Sequence, residues 1–159
     1  DEVAAANYIQ SHVTHHSPLG DAGTLTVIRM VQASLRGGDL AELKLLAEAL
    51  VDREPSYRYD RQPMENPSGY IVETLQAVFQ ALFGNHDFET ALIDVVNRGG
   101  DADTTGAILG MIAGALYGRE AIPRRWLAAL DPRIRMSCQE QASALLRVAP
   151  KGRELGWDR

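Results

Sequence analysis

The chain holds a single cysteine, Cys138, among its 159 residues. One thiol cannot close an internal disulfide. The polar stretch around Cys138 contains no histidine to activate it, so the residue reads as structural and the composition as suited to a reducing cytoplasm. Positive charge is in the minority, with 16 Lys and Arg against 21 Asp and Glu and a net charge of -5. That balance argues against binding a nucleic-acid backbone, yet allows a small phosphate-bearing ligand at a helix N-terminus. Long apolar runs are lacking. The longest, Ala107 to Tyr117, falls well short of the ~20 residues that span a bilayer, so no membrane span is expected. No secretory leader is visible at the start. What remains is ordinary for a globular protein: 45% hydrophobic and 23% charged residues, in a length that suits one domain with a sizeable core.

Strand-period segments and internal repeats are also absent, and the chain reads as all-α. Ser17-Pro18 is a cap followed by proline at the first helical position, opening a helix to Arg36 that stops at Gly37-Gly38. Asp39-Leu40-Ala41-Glu42 has the capping-box pattern and opens a helix to about Asp52. Arg53 to Pro67 has three prolines and no period, which predicts a long solvated loop. Ile71, Val72, Leu75, Val78, Phe79, Leu82 and Phe83 form a core-facing helical stripe that ends at Gly84. Phe88, Ala91, Leu92, Val95 and Val96 form another, capped by Asp87. Pro123 starts a short helix carrying Trp126, and a last helix runs from about Asp131 to Val148. Residues 151–159 read as a frayed tail. His12 and His86 read as surface residues.

The most informative segment is Asn97-Arg98-Gly99-Gly100-Asp101-Ala102-Asp103-Thr104-Thr105-Gly106. It puts two carboxylates and two hydroxyls on a glycine turn where a helix begins. Taken alone, the pattern also suits an N-cap with a turn aspartate. An EF-hand is excluded because its twelfth position, which needs a bidentate Glu, is Ile112. A P-loop is excluded because no Lys follows the glycines. Two unneutralised carboxylates at this spacing repel each other, which favours a cation between them. A hard divalent ion wants about six oxygens, of which Asp101, Asp103 and Thr104 supply perhaps half. Oxygen-only ligands favour Mg²⁺ or Mn²⁺ over zinc. Past the turn, Gly106, Gly110, Gly114 and Gly118 recur at every fourth position. That spacing predicts a central helix from about Asp103 to Tyr117, with another helix packed closely on Gly110 and Gly114.

Arg98-Gly99-Gly100-Asp101-Ala102-Asp103-Thr104-Thr105-Gly106-Ala107-Ile108 resembles the C-terminal metal motif of the ADP-ribosylglycohydrolase family. Ser68-Gly69-Tyr70-Ile71-Val72-Glu73-Thr74-Leu75 resembles that family's second signature, and Thr14-His15-His16-Ser17-Pro18-Leu19 resembles its Thr-His-x-x-Pro turn. All three occur in the family's order, over most of the chain. They are most similar to the branch that reactivates ADP-ribosylated dinitrogenase reductase. The resemblance implies a compact orthogonal helix bundle that hydrolyses the N-glycosidic bond between ADP-ribose and an arginine side chain. It implies two Mn²⁺ (or Mg²⁺) ions held in part by Asp101, Asp103 and Thr104, with Asp103 bridging. Tyr70 would contact the ribose or nucleotide, His15 or His16 the ligand's diphosphate or adenosine, and Ser68 and Gly69 a phosphate through backbone N–H groups, with Gly99 and Gly100 lining the same site. Implied partners are an ADP-ribosylated protein such as dinitrogenase reductase, and a nitrogen-regulatory signalling protein. A non-catalytic, crystallin-like relative that binds ADP-ribose or serves structurally is the alternative.

The family's N-terminal Thr-Asp-Asp motif and acidic active-site residue have no counterpart here, since no Asp-Asp pair occurs. The general acid or base is therefore expected outside this chain. Asp1 to Ile9 reads as mid-helix. The chain is accordingly expected to be the C-terminal portion of one longer domain, incomplete at its N-terminal side. By itself it is expected to bind Mn²⁺ weakly or not at all and to lack turnover.

Overall fold

The structure, a computed structural model, describes residues 1–149. Eight α-helices and no strand occur among them: α1 (Glu2–Ser11), α2 (Pro18–Leu35), α3 (Leu40–Arg53), α4 (Ile71–Gly84), α5 (Phe88–Asn97), α6 (Ala102–Tyr117), α7 (Arg124–Ala129) and α8 (Pro132–Val148). Single 3-10 turns occur at Pro55–Tyr57 and Arg119–Ala121. The chain divides into two compact units, residues 1–121 and residues from 122 onward. The expected frayed tail, 151–159, lies outside the described residues.

Capping signals place most helix starts. Ser17 Oγ accepts the Gly20 N–H at 3.2 Å ahead of Pro18, Asp39 accepts from Glu42 at 3.0 Å, and Asp87 accepts from Thr90 at 2.8 Å. Each satisfies an amide the helix leaves orphaned. At α1 the Asp1 carboxylate accepts the Ala4 N–H at 2.7 Å. In the second unit Asp131 caps α8 through the Arg133 N–H at 2.7 Å.

The core of the first unit lies between α2, α3, α4, α5 and α6. Met30, Leu43, Leu50, Leu75, Phe79, Leu82, Val95, Leu109 and Ile112 are all inaccessible or nearly so. α6 packs on α2, α4 and α5, and so occupies the central place its motif needs. Its buried face, however, is Thr105, Leu109, Ile112 and Ala113. The glycine stripe is a correction to the expectation. A Cβ at Gly106 would meet Val96 at 3.1 Å, but one at Gly110 or Gly114 would meet no described atom within 4 Å beyond its chain neighbours and α6's own backbone. No described helix needs those positions to be small. Gly110→Ala in this chain should therefore raise stability by about 0.5–1 kcal/mol, the helix-interior advantage of Ala over Gly. Thermal unfolding checks this, and a lowered midpoint would mean that something does cover the stripe.

The long loop between α3 and α4 also departs from expectation, because it is pinned and not merely solvated. Tyr57 is fully buried and its hydroxyl donates to the Leu19 carbonyl at 2.6 Å. Burial pushes this phenol up to about 12, so it stays a neutral donor. Gly23 makes room for the ring, since a Cβ there would stand 2.6 Å from the Tyr57 hydroxyl. Tyr59 packs edge-on against Phe79, centroids 5.5 Å apart.

Candidate functional site

The two strongest motifs lie side by side because their backbones pair. The Asn66 N–H donates to the Arg98 carbonyl and the Asp101 N–H to the Pro67 carbonyl, each at 2.8 Å. This clamp explains the double glycine. Gly99 and Gly100 sit at φ +77° and +61°, a region that disfavours a side chain. A Cβ on Gly99 would stand 2.6 Å from Asn66 Oδ1, and one on Gly100 would collide with the Pro67 carbonyl. Both glycines are thus explained by the fit of turn on turn.

Chain direction then carries the clamp into the Tyr70 turn. Pro67 leads to Ser68, whose N–H donates to Glu73 Oε2 at 2.9 Å and whose hydroxyl donates to the same oxygen. Thr74 Oγ1 donates to the Ser68 carbonyl at 3.1 Å, and the Tyr70 N–H donates to Ser68 Oγ at 3.2 Å. The expectation that Ser68 offers its N–H to a phosphate is revised, because that group is already committed to Glu73. Tyr70 itself stands at the N-terminus of α4 and is 52% exposed, and an exposed aromatic ring can stack on a ligand.

The Ser68 hydroxyl and amide hold Glu73 below its ordinary carboxylate range. A depressed folded-state pKa stabilises the turn above the unfolded value, and this is lost as pH falls through the folded value. The Ser68 amide resonance should therefore titrate with a midpoint below the ~4.3 of an unperturbed Glu. A midpoint at or above that value would show that Glu73 does not anchor the turn.

Gly69, Tyr70 and Ile71 form one wall of a cleft of about 490 Å³. Ser11 at the end of α1, Thr14, His15 and Ser17 in the turn that follows, and Asp21 at the start of α2 line the rest of it. His15 is thus brought to Tyr70, with its Nδ1 2.9 Å from Thr14 Oγ1. His16 is exposed, its ring tilted at 54° to that of His12 with centroids 4.6 Å apart. His12, expected on the surface, is half-buried and its Nε2 lies 2.8 Å from Asp21 Oδ2. Ser11 Oγ donates to the other Asp21 oxygen at 2.7 Å. The hydrogen bonds from His12 and Ser11 hold the Asp21 carboxyl below its ordinary value.

The acidic pair stands at the edge of this cleft, across Gly69. A Cβ on Gly69 would lie 3.1 Å from Asp101 Oδ2. Asp103 and Thr104 are exposed on the first turn of α6, and the Thr104 N–H donates to Asp103 Oδ1 at 3.1 Å. The hydrogen-bonded Asp101 side chain, then the Thr104 amide, hold Asp103 below its ordinary carboxylate range. Neighbouring carboxylates repel each other unless a cation lies between them. The donors are all oxygen, which fits a hard divalent ion. Among the described residues no group of three or more His, Cys, Asp or Glu is placed to hold a metal. Asp101, Asp103 and Thr104 therefore fit as part of an oxygen shell, not the whole of one.

The sequence profile of the ADP-ribosylglycohydrolase family matches residues 1–154. The chain belongs to that family. It is 40% identical over 140 residues, 88% of its length, to the ADP-ribosyl-dinitrogen reductase glycohydrolase of Rhodospirillum rubrum, and covers 47% of that enzyme. It is 34% identical to an ADP-ribosylarginine hydrolase of Serratia proteamaculans, over 69% of its own length and 29% of the relative's. A Pseudomonas putida protein of the same description is 30% identical, over 74% of this chain and 33% of that one. The chain thus spans about half or less of the length of these curated relatives.

Sequence reasoning missed Asn66 and Pro67, which receive the glycine turn, and Glu73, which fixes Ser68. Asn66 alone left a signal: it adopts φ +48°, a conformation that Asn tolerates better than most residues, and an Asn-Pro pair favours a turn. No helix among the described residues is long and apolar enough to cross a membrane.

Proposed function

We propose that this chain forms the nucleotide-side wall and part of the metal site of a single-domain ADP-ribosylarginine hydrolase, with ADP-ribosylated dinitrogenase reductase as its protein substrate. The observation that carries the reading is the convergence, through the clamp, of the Tyr70 turn, the His15 turn and the acidic pair on one cleft. Asp101, Asp103 and Thr104 would hold the divalent ions, two Mn²⁺ or Mg²⁺. When bound, such ions orient ribose hydroxyls and lower the pKa of a bound water. The chain's own residues bind and orient the substrate. The exposed Tyr70 ring supplies a stacking face. His15 supplies a hydrogen-bonding ring nitrogen across the cleft. Asp101, held against Gly69, fixes how far the ribose sits from that stacking face.

The test is release of ADP-ribose from ADP-ribosylated arginine by the full-length protein, with Mn²⁺ present and after chelation. Turnover that requires the ion supports the reading. Tight ADP-ribose binding without turnover would favour a non-catalytic binding relative. Neither binding nor turnover would sink it.

A further inference from the structure

Gln80 lies on the one polar stripe of α4 and uses its whole amide. Its Nε2 donates to the Tyr59 carbonyl at 2.9 Å and to the Gln62 carbonyl at 3.0 Å. Its Oε1 accepts the Met64 N–H at 2.8 Å and also accepts from Arg98 Nη1. The Arg98 side chain is only 11% exposed and forks onto Asp94, with Nε donating to Oδ1 at 2.9 Å and Nη2 to Oδ2 at 3.1 Å. Asn85 Nδ2 adds a donor to Asp94 Oδ2 at 3.0 Å. Arg98 is also the residue whose carbonyl receives Asn66, and Gly99 follows it. A single amide thus grips both strands of the clamp: the loop on its way to Asn66, and the residue that opens the Gly99-Gly100 turn.

We propose that Gln80, acting through Arg98, is a positioning residue that sets the register between the Tyr70 turn and the Asp101 turn. It touches no ligand itself. A planar amide with both faces used has little rotational freedom, and the forked guanidinium beside it is oriented by two carboxylate contacts. Three backbone groups and one cation depend on this side chain, so its removal leaves polar groups unpaired at the base of the clamp. The helices need none of these bonds. Gln80 is flanked by the fully buried Phe79 and Ala81, whose packing holds α4 whatever residue 80 is. The consequence for ligand rests on the proposed function; the consequence for the clamp does not.

The test compares Gln80→Leu and Gln80→Glu in the full-length protein by residue-resolved hydrogen exchange. Glutamate keeps the oxygens that meet Met64 and Arg98 but loses both donors to the loop. In Gln80→Leu, exchange of the Asn66 and Asp101 amides should rise roughly tenfold or more while Leu109 and Ile112 of α6 stay at wild-type rates, as a local opening requires. Gln80→Glu should restore part of that protection, through the oxygen that still accepts from Met64 and Arg98. Should Gln80→Leu fail to fold, Arg98→Lys serves in its place, since an ammonium cannot hold the Asp94 fork and Gln80 together. Unchanged exchange at Asn66 and Asp101, a uniform rise that includes α6, or a Gln80→Glu protein no better than the leucine variant would each overturn the assignment. ADP-ribose titration followed at the Tyr70 ring should show binding weakened by about an order of magnitude in Gln80→Leu and partly rescued in Gln80→Glu. If the wild-type ring does not respond to ADP-ribose, the proposed function fails, while the exchange data still decide the role of Gln80.

Discussion

Gly100→Ala is expected to break the clamp. Two costs add at one position. The residue sits at φ +61°, where a Cβ costs roughly 1–2 kcal/mol. The same Cβ collides with the Pro67 carbonyl and comes within 2.8 Å of Pro67 N. Relief requires moving backbone, and overpacking of this kind costs about 1–3 kcal/mol. Together these approach half of the ~5–15 kcal/mol that stabilises a typical domain. Gly37→Ala is the matched control. Gly37 has φ +90°, but a Cβ there meets nothing within 4 Å, so it bears only the backbone cost. Urea unfolding of both variants separates the two terms. Equal losses at the two glycines would mean that the contact with Pro67 is unimportant.

Asp103→Ala is expected to abolish hydrolysis by the full-length protein and to lower its Mn²⁺ stoichiometry. Asp103 has the more exposed carboxylate of the pair and faces solvent on the first turn of α6. Loss of an outer-shell partner already costs 10–100-fold in metal affinity or activity, and loss of a direct ligand should exceed that. The fold should be indifferent, because the Asp103 side chain is exposed and bonds only locally, to the Thr104 amide and the Asp101 side chain. Metal analysis and circular dichroism on the same preparation test both halves. An unchanged Mn²⁺ count in an inactive variant would remove Asp103 from the metal shell.

Helix starts were legible in the sequence because capping is local. Ser17, Asp39, Asp87 and Asp131 each act within three residues of their own position. The central place of α6 was legible too, but its buried face was not. Glycine spacing records where side chains are missing, and Gly110 and Gly114 turn out to meet no described neighbour. The α3–α4 loop was the harder segment. It has no period because it is held by carbonyl contacts to Gln76 and Gln80 and by the buried Tyr57. Nothing in a run of prolines and arginines announces bonds to a helix some twenty residues away. The acidic pair was a candidate site on residue types alone, whereas its attachment to the Tyr70 turn is made by main-chain groups of Asn66 and Pro67, for which the sequence offers only the turn-favouring Asn-Pro pair.

That attachment has a bearing on motion. Two backbone hydrogen bonds and two glycines join Asn66–Pro67 to Arg98–Asp101, with no stretch of free chain between Pro67 and Tyr70 beyond Ser68 and Gly69. Local opening in folded proteins proceeds in contiguous cooperative segments. Here the Tyr70 ring and the acidic pair belong to the same segment, so an opening that displaces one should carry the other. A ligand that rested on Tyr70 alone would therefore still quieten the turn that carries Asp101.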